Sequence, residues 1–275
     1  MLSFGPFSAD VIVVVLALIA ALLVGALAAR RRPRGSTRKL AGLLMDMTLI
    51  GLLAARLAFV LAWWQSYLEQ PLAVFYISDG GFIVWVGVLA ALLFASWRVR
   101  KSKPLWQPLG AALVSGWIVW VMAGAMLSLT YTDRSLPETA LTRLDGSSIQ
   151  LAAVSDQPMV VNLWATWCPP CRREMPMLEA AQERHDDVTF VFLDQREDAA
   201  AVLNFLDDEG LELDHVLIDS HGKLAELSGS RALPTTLFYN ADGQLIDTHV
   251  GMLTHASLTA KLEKHNLINT SKTAP

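Results

Sequence analysis

The sequence predicts an all-α transmembrane domain of about four helices, followed by an α/β domain. Hydrophobic residues make up 53% of the 275 residues and charged residues only 17%. Residues 1–130 carry eleven lysines and arginines against four acids, a net charge of +7. Residues 131–275 carry eleven against 22, a net charge of −11. We therefore expect two unlike domains, at 1–130 and 131–275.

Four apolar stretches in the first half approach the roughly 20 residues that a membrane-spanning helix needs. The first is too long for the apolar core of a secretory signal, and its arginines follow it instead of preceding it. Four buried helices of a soluble protein would not account for the regular charge of the intervening loops. We predict a retained multi-pass domain in contact with membrane lipid, with spans at about 10–29, 40–64, 81–97 and 105–130.

Loop charge predicts the orientation of these spans, because lysine and arginine are retained on the cytoplasmic side. The segments 30–39 and 98–103 are strongly basic, whereas 65–80 contains two acids and no lysine or arginine. Both termini are therefore expected outside the cytoplasm, at a bacterial inner membrane with the second domain in the periplasm. The basic residues lie between apolar stretches and not on a soluble face, which argues against binding to nucleic acid.

Two ionisable residues, Asp46 and Arg56, fall within the predicted spans. Such residues are candidates for function because charge is costly in a bilayer. Asp46 is expected near a cytoplasmic helix end. For Arg56 the sequence leaves open a structural role, a role in the membrane interior and contact with lipid headgroups.

The stretch Gly51–Tyr76, followed by Asp79-Gly80-Gly81, resembles the N-terminal half of prolipoprotein diacylglyceryl transferase. Two departures stand out: Trp85 occupies the position where that family's histidine is expected, and the transferase half is replaced by the second domain. The resemblance implies a reused membrane scaffold. A lipid-binding or lipid-modifying protein with an accessory redox domain remains an alternative.

The second half alternates strand and helix patterns after a polar linker at 131–139. The order strand, helix, strand, then a hairpin at Asp242-Gly243 and a final helix, is the thioredoxin arrangement. Two short strands before it are expected to be an N-terminal addition. The predicted strands are 141–143, 149–151, 158–164, 188–194, 215–218, 235–239 and 245–250, and the predicted helices are 169–185, 198–209, 223–227 and 257–264.

The chemistry is expected at Cys168 and Cys171, the two cysteines of the chain, in the motif Cys-Pro-Pro-Cys between a strand and a helix. Two intervening residues let both sulfurs meet on one helical turn. Cys168, just before the helix, faces unpaired amides and the positive end of the helix dipole, which favours its thiolate. Cys171 is more shielded and suits the resolving role, in which it attacks the mixed disulfide and releases the client.

Other interpretations of the cysteine pair are weaker. A zinc site needs further ligands, and neither a third cysteine nor a paired histidine spacing is present. A purely structural disulfide remains open, although so short a loop gives little stabilisation. A peroxidase would need a separate peroxidatic cysteine. We expect no cofactor and no metal beyond the Cys168–Cys171 disulfide.

The motifs WATWCPPCRREMP and ALPTTLFYNADGQLIDTHVG closely resemble the TlpA/ResA group of thioredoxin-like reductases over about residues 135–265. This resemblance implies that Pro234 is cis and lies against the cysteine pair. It also implies that Glu174 tunes the thiols, although the residues alone leave open a solvated helix carboxylate. Catalytic residues are thus expected to be Cys168, Cys171, Pro234 and Glu174, with client-binding residues Trp167, Pro169, Pro170, Leu233 and Thr235.

Asn162 stands where ordinary thioredoxins carry a buried aspartate for proton transfer. An asparagine does not accept a proton at neutral pH, so Glu174 or water must supply that route.

The expected function is reduction of disulfides in extracytoplasmic client proteins, apocytochrome or copper-site thiols among them. A pair in an oxidising compartment needs electrons, and the membrane half has no cysteine to relay them. We therefore expect a separate membrane thiol reductant of the DsbD/CcdA type as partner. The Cys-x-x-Cys motif does not fix the direction of electron flow, so a disulfide oxidase or isomerase is an alternative.

Overall fold

The computed structural model describes residues 9–30, 32, 35–69, 71–100, 103–130, 135–229 and 232–268. These residues divide into two compact units. The described residues of the helical unit lie within 9–68 and 81–130, and those of the α/β unit lie within 69–80 and 135–268. Several loop residues that were used to predict orientation, and the start of the predicted linker, lie outside the described residues: Arg31, Arg34, Lys101 and residues 131–134.

Apolar helices form the first unit, as the sequence predicts. Three of them are long and apolar enough to cross a membrane, and α4 is shorter, at 16 residues. The helix that was expected over 40–64 ends at Ala62, and a separate short helix begins at Trp64. The helices are α1 (Ala9–Arg30), α2 (Ser36–Ala62), α3 (Trp64–Glu69), α4 (Val84–Val99) and α5 (Trp106–Thr130).

Helices α2 and α4 approach closely at two glycines. A Cβ atom on Gly87 would lie 2.5 Å from the carbonyl oxygen of Gly51, so no larger residue fits there without movement of the backbone. Small residues allow this kind of approach between membrane helices. Nearby, Arg56 Nη1 donates a hydrogen bond of 2.9 Å to the carbonyl oxygen of Gly81, at the start of the segment that leads into α4. This contact gives Arg56 a structural role within the helical unit.

The second unit is built on a seven-stranded sheet with the order β2-β1-β5-β4-β3-β6-β7. Strands β3, β4 and β5 run parallel to one another. Strands β6 and β7 form an antiparallel hairpin, and β6 pairs antiparallel with β3. The strands are β1 (Ala140–Arg143), β2 (Ser148–Gln150), β3 (Met159–Trp164), β4 (Thr189–Gln195), β5 (Val216–Asp219), β6 (Thr235–Tyr239) and β7 (Leu245–Val250).

Every residue of the central strand β3 is buried, and so is every residue of β4. Strands that are covered on both faces are mainly apolar, as β3 and β4 are apart from a few buried polar residues such as Asn162 and Asp194. Hydrophobic clusters lie on both faces of the sheet. The helices of this unit are α6 (Pro169–Arg184), α7 (Ala199–Glu209), α8 (Lys223–Ser228) and α9 (His255–Lys264). The predicted elements are all present, and their ends differ by one or two residues, which is the usual uncertainty at frayed ends.

The sequence did not predict that the segment 69–80 belongs to the α/β unit. Along the chain it connects α3 to α4, but it packs on the sheet domain. Its Asp79 is fully buried and accepts a hydrogen bond from Thr254 Oγ1, at 3.1 Å. A carboxylate that is removed from water in this way needs such a partner, and that partner comes from a distant part of the chain.

The close approach of α2 and α4 predicts the effect of adding one methyl group. Gly87→Ala should lower the thermal unfolding midpoint of the full chain in detergent, because the new Cβ meets the backbone of α2. Gly42→Ala is the matched control: Gly42 is an exposed residue of α2 whose Cβ would meet nothing within 4 Å. Because alanine has a higher helix propensity than glycine, Gly42→Ala should leave the stability of the chain unchanged or raise it by up to about 1 kcal/mol. Equal midpoints for the two variants would contradict this packing.

Candidate active site

The two cysteines form a disulfide at the N-terminus of α6. Cys168 is the N-cap residue, and its Sγ accepts a hydrogen bond from the backbone N–H of Cys171, at 3.4 Å. The Cα atoms of the pair lie 5.3 Å apart. Cys168 is 3% exposed and Cys171 is fully buried. Both cysteines are thus nearly covered, with Cys168 at the end of the helix and Cys171 inside its first turn.

The residues that follow strand β3 shape the surface around the disulfide. Trp167, immediately before Cys168, is 67% exposed, and Pro169 is also exposed. Pro170 is half-buried in the first turn of α6, where a missing N–H costs nothing. Thus Trp167 and Pro169 offer surface next to a sulfur that is itself almost covered.

Pro234 lies at the same edge of the sheet as the cysteine loop. In the antiparallel β3–β6 pair Leu163 is opposite Thr235, so Pro234 falls beside Trp164, from which the chain continues to Cys168. The Leu233–Pro234 peptide bond is cis, as the resemblance implied. Leu233 is half-buried. The hydroxyl of Thr235 is buried and donates to the carbonyl oxygen of Ala232 at 2.7 Å, so the Thr235 side chain does not offer client-binding surface.

Glu174 is buried beneath this site. It is 1% exposed and follows Cys171 by one turn, on the same face of α6. Its Oε1 accepts a hydrogen bond from Asn162 Nδ2 at 2.8 Å, and its Oε2 accepts one from the backbone N–H of Leu253 at 2.9 Å. Burial raises the pKa of Glu174 to about 8, against the opposing effect of these two hydrogen bonds. The alternative of a solvated helix carboxylate is therefore wrong.

Asn162 connects Glu174 to the strand that follows Pro234. Its Nδ2 also donates to Thr236 Oγ1, at 3.1 Å. The amide thus bridges α6 and β6 through the central strand. It holds the carboxyl group of Glu174 in place but does not titrate, so Glu174 is the residue of this network that can exchange a proton.

A pair of carboxyl groups at the active-site loop, Asp194 and Glu197, was not predicted from the sequence. Asp194, at the end of β4, is fully buried and accepts from the backbone N–H of Glu197, at 3.0 Å. Glu197 in turn accepts from the N–H and the hydroxyl of Thr166, both at 2.6 Å. Burial, and then the neighbouring Glu197, raise the pKa of Asp194 to about 8. The signal that could have revealed it is an acid at the carboxyl end of a wholly buried strand.

Within the part of the chain that the structure describes, no group of three or more histidine, cysteine, aspartate or glutamate side chains is placed to hold a metal ion. The site assembled here is thus a disulfide at a helix N-terminus, a cis-proline at the adjacent strand and an uncharged buried acid. These features define a thioredoxin-fold thiol–disulfide oxidoreductase.

The comparisons with known proteins agree for both halves of the chain. Residues 132–262 match the Redoxin family, and residues 5–126 match the family of prolipoprotein diacylglyceryl transferase. The chain is 31% identical over 171 residues to thiol-disulfide oxidoreductase ResA of Bacillus thuringiensis, covering 60% of this chain and 98% of the relative. It is 29% identical over 172 residues to ResA of Halalkalibacterium halodurans, covering 59% of this chain and 96% of the relative.

Among solved structures, that of MTB dsbF shares 24% identity at a TM-score of 0.44, and the match covers 48% of this chain and 98% of that chain. From the sequence relatives, the chain belongs to the ResA family of thiol–disulfide oxidoreductases and is an enzyme of that class. The match of residues 5–126 to the diacylglyceryl transferase family agrees with the resemblance that the Gly51–Tyr76 stretch indicated.

The raised pKa of Glu174 predicts how stability depends on pH. The folded chain holds this proton more tightly than the unfolded chain, whose glutamate titrates near pH 4.5. The stability that this protonation contributes is therefore complete below about pH 4.5 and is lost as the pH rises towards 8. The slope is at most about 1.4 kcal/mol per pH unit.

Glu174→Gln should flatten this slope, as measured by urea unfolding of the full chain in mild detergent between pH 5 and pH 8. Glu183→Gln is the matched control, because Glu183 is an exposed acid of the same helix. If Glu174→Gln kept the pH dependence of the unchanged chain, the carboxyl group would not be the buried proton-binding group described above.

Proposed function

We propose that the chain is a membrane-anchored oxidoreductase that reduces disulfides of extracytoplasmic client proteins through Cys168 and Cys171. The observation that carries this proposal is the position of the pair: Cys168 caps the N-terminus of α6 while Cys171 is buried one turn inside. A helix N-terminus stabilises a thiolate, and the thiolate is the nucleophile of disulfide exchange.

The reaction begins with the reduced pair. The Cys168 thiolate attacks one sulfur of the client disulfide, forming a mixed disulfide, and the other client sulfur leaves as a thiolate that takes up a proton. Cys171 then loses its proton and attacks the Cys168 sulfur. The mixed bond breaks, the second client thiol is released, and two electrons have passed from the cysteine pair to the client.

Glu174 is proposed to tune the pair by exchanging protons with it. Below about pH 8 the buried carboxyl group is protonated, so it adds no negative charge that would oppose the Cys168 thiolate. The proton of Cys171 passes to the carboxylate form of Glu174, which is the minor form below about pH 8, and a pKa of about 8 keeps that form accessible near neutral pH. Asn162 keeps the carboxyl group in place and leaves this task to Glu174. Trp167, Pro169 and Leu233 are proposed to contact the client around Cys168.

A reductase in an oxidising compartment must be reduced again after each cycle. The only cysteines of the chain are in the α/β unit, so thiol exchange within its own helices cannot supply electrons. We propose a separate membrane thiol reductant of the DsbD/CcdA type as electron donor. If the reduction potential were instead far above that of thioredoxin, at about −270 mV, the same pair would act as an oxidase or isomerase.

The proposed location is the bacterial inner membrane, with several spans and with the α/β unit on the extracytoplasmic side. Loop charge supports this orientation. A second argument comes from the segment 69–80, which is predicted to be an outside loop and packs with the α/β unit. Two segments that pack together must lie on the same side of a membrane.

The match of residues 5–126 to a lipid-modifying family is the observation in favour of a second function. However, Trp85 stands at the position of the expected histidine, and its side chain is 70% exposed within the helical unit. We therefore propose that this unit is a lipid-embedded scaffold and that it carries no transferase step.

Cys171→Ala should trap clients. Without Cys171 the mixed disulfide formed by Cys168 cannot be resolved, so covalent adducts should accumulate in membranes of cells that express the full chain. Non-reducing electrophoresis followed by mass spectrometry would detect and identify them. Cys168→Ala is the matched control, because its remaining thiol is fully buried. Adducts of equal yield in both variants, or in neither, would contradict the assigned roles.

The proposed orientation predicts the behaviour of reporter fusions. Alkaline phosphatase, which is active only outside the cytoplasm, should be active when fused after Ile268 and inactive when fused after Arg100. A green fluorescent protein that folds only in the cytoplasm should give the reverse pattern. Phosphatase activity at Arg100 would overturn the proposed topology without bearing on the cysteine chemistry.

A further inference from the structure

The segment 71–80 is held against the end of the sheet that leads into α9. Thr254 is the N-cap residue of α9, and its hydroxyl reaches across to Asp79, which is fully buried. Ala73, earlier in the segment, is only 3% exposed. The segment is therefore anchored at two positions along its length.

Two glycines show how closely this segment is packed. Gly80 has a φ of +70°, and a Cβ there would lie 3.4 Å from His249 Cε1. Gly251 has a φ of +108°, and its Cβ would lie 3.2 Å from the carbonyl oxygen of Ser78. Both positions favour glycine by conformation. The backbone of 78–80 thus runs in direct contact with the connection that follows β7.

This arrangement leaves an open groove of about 340 Å³ between the segment and α6. Pro71, Leu72 and Tyr76 line one side, and Arg173 and Glu174 line the other. The groove lies close to the cysteine site without including the two sulfurs. Its lining residue Glu174 follows Cys171 by one turn of α6, and Gly251, next to its lining residue Met252, donates its backbone N–H to the carbonyl oxygen of Pro234 at 2.9 Å. A client chain whose disulfide is at Cys168 would meet this groove next.

The groove lining is mainly apolar, and near neutral pH its side chains from α6 carry one positive charge and no negative charge. Its two ionisable side chains on α6 are Arg173, which is exposed, and Glu174, which is buried and protonated below about pH 8. The remaining lining is mainly apolar, with Leu72, Met177 and Leu253 among it. The groove is thus suited to an apolar side chain with an acidic group close to Arg173.

We propose that residues 71–80 form a specificity-determining wall of the oxidoreductase, and that the groove takes a client segment with an apolar residue and an acidic residue beside the cystine. This inference rests on the proposed reduction of client disulfides. It assigns a role to the Asp79-Gly80 motif, which the thiol chemistry alone leaves without one: the motif anchors the wall.

The test is a single-turnover reaction of the reduced full chain, in detergent, with three cystine-bridged peptides. The peptides differ only in the two residues next to the cystine: Leu-Glu, Leu-Lys or Ser-Glu. Rates are read by quenching with an alkylating agent and counting modified thiols at Cys168 and Cys171. The Leu-Glu peptide should react about tenfold faster than each of the others, the discrimination that one apolar or charged contact provides.

Two variants assign this preference to the groove. Arg173→Glu should reverse the order of the Leu-Glu and Leu-Lys peptides, and Leu72→Ser should remove most of the advantage of Leu-Glu over Ser-Glu. Both side chains are exposed, so folding should be retained. Phe75→Ala is the matched control from the same segment: Phe75 is 77% exposed and is not part of the groove lining. It should keep the original order.

Equal rates for all three peptides, in a reaction that still depends on Cys168, would contradict the specificity role of residues 71–80 and leave the proposed function intact. An unchanged order in Arg173→Glu would also overturn it. If no peptide were reduced in a Cys168-dependent reaction, the proposed function itself would fail, and this inference with it.

Discussion

The carboxyl group of Glu174 is held out of water by hydrogen bonds from Asn162 on the central strand and from the backbone of Leu253, between β7 and α9. A buried carboxyl group without such partners would cost several kcal/mol. The contacts that satisfy it therefore fix α6 against both the sheet and the last helix. Because Cys168 is the N-cap residue of α6 and Cys171 lies in its first turn, they also fix the disulfide. The same burial that makes the group a structural bridge raises its pKa to about 8, so the carboxyl group is mainly protonated near neutral pH.

The parts of the fold that depend on local pattern could be predicted from the sequence. The four apolar stretches, the wholly buried strand β3 and the hairpin at Asp242-Gly243 each carry their own signal. The position of Cys168 before a helix follows from the strand that precedes it and the prolines that follow. Pro234 could be assigned only through its resemblance to a known family, because nothing local to it indicates which strand lies alongside.

What the sequence could not provide were contacts between distant residues. Asp79 looked like part of a loop in the membrane half, and only the pairing with Thr254 shows that it is buried in the α/β unit. Glu174 was equally compatible with a solvated helix face until its partners Asn162 and Leu253 were placed around it. In each case the decisive quantity is desolvation, and desolvation depends on tertiary packing and not on spacing along the chain.

The central claim is that Cys168 and Cys171 form one reversible redox centre, and an equilibrium redox titration tests it most directly. The full chain would be held in dithiothreitol or glutathione buffers of graded potential, and the two thiols counted after alkylation. If the two cysteines form one redox centre, both thiols should appear together in a single reversible transition, with a tenfold change in the equilibrium constant for about every 30 mV, as for two electrons. A disulfide that stayed oxidised well below about −300 mV would be structural, and would contradict the account.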